Sequence, residues 1–158
     1  MRLIDAISII GTLLTAIGTA ITLWQASKVR RYRQQIAFDL RKIHLSEVRE
    51  LLRHAQDEGR KLLSHVQQLN RGKSVLAITE NIQAYIDRSL NLLHLSGPDS
   101  DLREKILSAQ THLRSFQNSY KEDEKRQFVS DMHAVIQDTI SLCQERVVMM
   151  EIGGGNAR

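Results

Sequence analysis

The feature that most constrains this chain is a run of 22 residues, Ala6 to Ser27, with no Asp, Glu, Lys, Arg or His. Of the 22 Lys and Arg and the 18 Asp and Glu in the sequence, only Arg2 and Asp5 precede that run. As an α-helix, the stretch from Ala6 to Trp24 would reach roughly 28 Å, about the thickness of a bilayer's hydrocarbon core. A cleaved signal peptide and a buried core helix are the competing readings. The flanks argue against the first: Asp5 stands where a basic flank belongs, and Lys28, Arg30, Arg31 and Arg33 follow in place of a small-x-small site. The expectation is therefore a transmembrane helix spanning about 6–24. Its basic exit would leave the amino terminus outside and the bulk of the chain in the cytoplasm, with Trp24 and Tyr32 at the inner interface.

Elsewhere the pattern is helical. Aromatic residues make up only 4% and there is one Pro, which argues against a sandwich or barrel. A single cysteine, Cys143, excludes an intramolecular disulfide and a Cys-rich zinc site, and its apolar neighbours read as core packing. Apolar residues from Val29 to Leu69 recur mostly at steps of three or four, predicting a long first helix that stops near Asn70–Lys73. Ser74 is a candidate cap for a second helix, which Gly97-Pro98 would end. Asp99 or Ser100 then opens a third, with Leu102, Ile106, Ala109, Leu113, Phe116 and Tyr120 along one face. Asp101 and Glu104 have capping-box spacing. A fourth carries Phe128, Met132, Val135, Ile136, Leu142, Val147 and Met150. The expected fold class is all-α: one amino-terminal transmembrane helix (domain 1–27), then a cytoplasmic bundle of about four helices (28–152) and a Gly-rich tail (153–158).

Within the uncharged run, Ser8, Gly11, Thr15, Gly18 and Thr22 fall in one helical rhythm. Small and hydroxylated residues allow close backbone approach and cross-helix hydrogen bonds, so this seam is a candidate for self-association in lipid. The alternative is that the hydroxyls bond back to their own helix.

Catalytic motifs are missing: no His-Glu-x-x-His, phosphate-binding glycine loop, dinucleotide fingerprint or nucleophile elbow occurs. The six His have no i, i+4 pair, so neither a metal site nor a cofactor is expected. Charge is more informative. Residues 1–73 carry 13 Lys and Arg against 6 Asp and Glu, whereas residues 74–158 carry 9 against 12. Lys42, Ser46, Arg49, Arg53, Gln56 and Arg60 share one helical face without an acid among them. Lys42, Arg49, Arg53 and Arg60 are thus candidate ligands for an anion, since guanidinium forks fit phosphate oxygens. The bland alternative is a solvated face paired to Glu50, Asp57 and the acidic carboxy-terminal helices. Tyr85 and Tyr120 are available for base stacking or for packing.

An amino-terminal span at Ala6–Trp24, a basic exit at Lys28–Arg33 and a helical domain ending near Met150 resemble the type III CRISPR-associated membrane effectors switched on by cyclic tetra-adenylate. The resemblance covers the layout of the whole chain and carries no diagnostic motif. It implies a single-pass protein of the bacterial inner membrane, tetrameric, that binds a cyclic oligonucleotide messenger and then perturbs the membrane lipid in antiviral defence. It gives no role to duplex nucleic acid. Two further readings stand beside it: a membrane-tethered adaptor bundle docking a protein partner, and a holin-like pore former that needs no ligand.

Overall fold

The computed structural model of the protein contains, among the described residues, four α-helices: α1 (Arg2–Gln67), α2 (Gly72–Leu92), α3 (Ser100–Asn118) and α4 (Glu122–Gly155). The structure describes the backbone of residues 2–67 and 72–155, and side chains at 15–30, 32, 33, 35–64 and 75–153. No strand occurs among the described residues. The chain divides into two compact units, Met1–Arg41 and Lys42–Arg158, with the division inside α1.

The second unit is an antiparallel bundle. From α1, the residues Leu45, Val48, Leu52, Ala55, Gly59 and Leu62 are buried at steps of three and four, the spacing that keeps one face of a helix on its neighbours. The opposing residues follow the same rhythm: Ile82, Ile86 and Leu90 in α2; Leu102, Ile106, Ala109 and Leu113 in α3; Met132, Ile136, Cys143 and Val147 in α4. The buried threonine, serine and glutamine side chains are paired. Thr79, Ser89 and Thr139 donate their hydroxyls to carbonyls of their own helices. Gln110 Nε2 donates to Asp87 Oδ1 at 2.8 Å, tying α3 to α2.

Between helices the chain turns without long loops. Helix α2 stops at Leu92, before the expected Gly97-Pro98, because Arg103 of α3 donates to the Leu90 and Leu93 carbonyls and closes its last turn. Gly97 has φ 139°, a region side chains avoid, and so admits the reversal. Asp99 occupies the N-cap position of α3 but makes no side-chain cap. Its carboxylate instead receives Arg146 Nη1 of α4 at 2.7 Å, and the other guanidinium nitrogen reaches Asp101. The expected capping box at Asp101 is replaced by this clamp. Helix α2 begins at Gly72, ahead of Ser74, and α4 runs on through Gly155. The expected stop at Asn70 and Arg71 lies outside the described residues. Tyr120, expected on the buried stripe, is 98% exposed because α3 has ended at Asn118.

The described residues of the first unit are helical, and the expectation of a transmembrane helix over 6–24 is corrected: among the described residues no helix is long and apolar enough to cross a membrane. In the described part, from Thr15 to Ser27, the apolar residues alternate with polar Gln25 and Ser27. Thr and Gly dilute that stretch further. The predicted bundle is present, its first helix being the distal part of α1.

Two outcomes follow from this packing. Leu52→Ala, at a fully buried site, is expected to lower unfolding stability by about 2–5 kcal/mol in urea titration, whereas exposed Leu23→Ala changes it by less than about 0.5 kcal/mol. Acid sensitivity follows from the clamp. Burial raises the Asp101 carboxyl, but hydrogen bonding and charge from Arg146, with the backbone N–H groups of Leu102 and Asp101, outweigh it and hold it below its ordinary 3.8. A carboxyl depressed in the folded state stabilises above its unfolded pKa and loses that contribution as pH falls through the folded value. Stability measured between pH 5 and about pH 2 should therefore fall less steeply in Arg146→Met than in the native chain.

Candidate functional site

The cationic face of α1 is divided by the bundle. Positions four apart sit about 40° apart around a helix, so a stripe stepping by three and four holds two neighbouring rows. Lys42, Arg49 and Gln56 make one row, which meets α4. Lys42 Nζ lies 2.8 Å from a Glu151 carboxylate oxygen, Arg49 Nη1 donates to Gln144 Oε1 at 2.9 Å, and Gln56 Nε2 donates to Gln137 Oε1. Each rung is seven residues further along α1 and seven further back along α4, the register of an antiparallel pair with a heptad seam. Below Gln56, a Cβ placed on Gly59 would lie 3.5 Å from Met132 Cε, an ordinary van der Waals contact.

Arg53 and Arg60 belong to the other row and face solvent, with side chains 51% and 64% exposed. Arg53 Nη1 lies 3.9 Å from Glu50 Oε2, and Arg60 Nη1 lies 3.4 Å from Asp57 Oδ1. Glu50 also approaches His54 Nε2 at 3.8 Å, and the His54 ring stacks on Tyr85 of α2 at 5.5 Å between centroids. Tyr85 thus packs between helices. The four predicted anion ligands do not converge: Lys42 and Arg49 turn to α4 while Arg53 and Arg60 pair along α1.

The wider surroundings hold little chemistry. A shallow hollow of about 260 Å³ between α1 and α2 is lined by Glu47, Leu51, Arg88, Asn91 and Leu92, below the roughly 300 Å³ at which small-molecule sites begin. Among the described residues no group of three or more His, Cys, Asp or Glu is placed to hold a metal. Burial pushes the Cys143 thiol up to about 11, the reverse of what a reactive thiolate needs. His133 is pushed below its usual value, first by burial and then by the charge of Arg60, and its Nε2 is buried without a hydrogen bond.

In the first unit, the proposed seam is described only in part. Ser8 and Gly11 lie outside the residues whose side chains are described. Thr22 Oγ1 donates to the Gly18 carbonyl at 2.8 Å and Thr19 Oγ1 to the Thr15 carbonyl at 2.8 Å, so these hydroxyls are satisfied within their own helix. A Cβ on Gly18 would meet nothing within 4 Å. Around this seam, Ile17, Ile21, Leu23 and Trp24 are 49–66% exposed, and Val29, Tyr32, Ile36 and Leu40 are 49–58% exposed. Lys28 Nζ rides 4.9 Å above the Trp24 ring.

No protein-family profile, characterised protein or solved structure matches this chain. Residues that reading by charge alone passed over are Gln137, Gln144 and Glu151. Their seven-residue spacing in α4 complements Lys42, Arg49 and Gln56, and was open to view in the sequence.

Substitutions separate the two rows. Arg49→Ala, which removes a cross-helix donor, is expected to lower urea-unfolding stability by about 0.5–1.5 kcal/mol, and Arg53→Ala or Arg60→Ala by less than about 0.5 kcal/mol. Equal effects at all three positions would contradict the division.

Proposed function

We propose that the protein is a non-enzymatic docking or adaptor protein, in which the bundle is the folded head and the amino-terminal unit attaches it to an apolar, negatively charged surface. One observation carries this reading: from Ile17 to Leu40 every described large apolar side chain stands open, whereas the bundle buries most of its own and leaves out only scattered ones such as Ile43, Leu76, Leu95 and Met149. Contiguous exposed apolar surface on a folded protein marks a binding site. Burying three such half-exposed side chains on a partner would contribute about 2–6 kcal/mol before the cost of association.

The messenger-receptor reading draws less support, because two of its four candidate cations already serve the α1–α4 contact and the other two have carboxylates beside them. A cyclic oligonucleotide would have to displace those partners in order to bind.

A neutral solvatochromic dye such as Nile red tests the docking reading. The full chain should enhance its fluorescence several-fold, and I17S/I21S/W24S should abolish most of that enhancement while keeping its helical circular dichroism. A native chain that binds no dye, or a triple variant that binds it equally, would contradict the proposal.

A further inference from the structure

Resting on that docking reading, we propose that the surface is an anionic lipid bilayer, with Lys28, Arg30 and Arg33 on headgroup phosphates and Trp24 and Tyr32 at headgroup depth. Lys28, Arg30, Tyr32 and Arg33 are all exposed, and no ion pair to these cations occurs among the described residues. The sequence between Asp5 and Asp39 contains no acid at all, so the cluster has no local counter-charge. Clustered Lys and Arg beside an apolar helix bind anionic headgroups, and Trp and Tyr favour the same depth because each ring has an apolar body and a polar tip.

Three observations favour lipid over a second copy or a protein groove. A second copy would bring the same cations and the same lack of acids, so its charge opposes this surface. Next, the hydroxyls of Thr19, Thr22 and Ser27 already donate to carbonyls at 2.8, 2.8 and 2.7 Å within the helix. The face enters an apolar medium without leaving those donors unpaired, and they are not available for bonds to another helix. Finally, Ile21 and Leu23 are 49% and 66% exposed yet lie on nearly opposite sides of the helix, two residues and about 160° apart. A protein groove covers one face, whereas a fluid apolar layer receives side chains from several directions.

Flotation of the full chain with vesicles tests this. It should float with phosphatidylcholine vesicles containing phosphatidylglycerol, much less with phosphatidylcholine alone, and less again in high salt. K28Q/R30Q/R33Q should bind anionic vesicles about a hundredfold more weakly, while K28R/R33K binds as the native chain does. Removing an equal number of bundle cations in K105Q/R114Q/R126Q should leave binding unchanged. Equal binding to neutral and anionic vesicles would overturn the lipid assignment, as would full binding by the first variant or an equal loss in the bundle control. Concentration-dependent self-association without flotation would overturn it in favour of a second copy. Dye binding without vesicle binding would leave the docking reading standing and remove only the lipid; absence of both would remove the two together.

Discussion

An apolar helix face has to be covered, and α1 meets that requirement over only part of its length. From Leu45 to Leu62 the requirement is met by α2, α3 and α4, each of which returns residues at the same helical spacing. From Ile17 to Leu40 the side chains are of similar kind and size but remain open. The driving force for burial is proportional to apolar area, so the bundle and the open segment differ in free energy by the same quantity that a docking partner would recover.

The polar rungs between α1 and α4 show how the bundle fixes its register. An apolar seam alone tolerates sliding by a heptad, because Leu and Ile positions repeat with the same period. Lys42 with Glu151, Arg49 with Gln144 and Gln56 with Gln137 are three different chemical pairs, so a shift by one rung places Lys42 opposite Gln144 and Arg49 opposite Gln137. The half-exposed Lys42–Glu151 pair contributes little by itself, and discriminates chiefly against misalignment. Arg146 acts similarly at the other connection, holding the start of α3 through Asp99, Asp101 and the Pro98 carbonyl. Lys42 and Arg49 of the cationic face thus form a structural edge against α4, while Arg53 and Arg60 stay in solvent.

Helical class was legible in the sequence because the apolar period is long and regular in all four segments. Element ends were harder to read. Helix α2 stops at Leu92 through a tertiary donor, Arg103, which no local stop signal reveals, and the Asp99 carboxylate is taken by Arg146 in place of a cap. The membrane-spanning expectation came from absence of charge, which registers what a helix lacks and says less about what covers it. The anion-site expectation treated one face of α1 as one environment, although an interface edge runs through it. Periodicity carries the phase of a helix surface; its partner emerges only when a complementary period, here Gln137, Gln144 and Glu151, is sought elsewhere in the chain.

Trp24 is the sole tryptophan and sits in the middle of the open segment, so its emission reports on that segment alone. The most direct measurement is its spectrum and its quenching by acrylamide in the full chain, with and without phosphatidylglycerol-containing vesicles. The account predicts a water-exposed, readily quenched indole in the free protein that shifts to the blue and becomes protected on those vesicles. An indole already blue-shifted and protected in the free protein, or one indifferent to the vesicles, would contradict it.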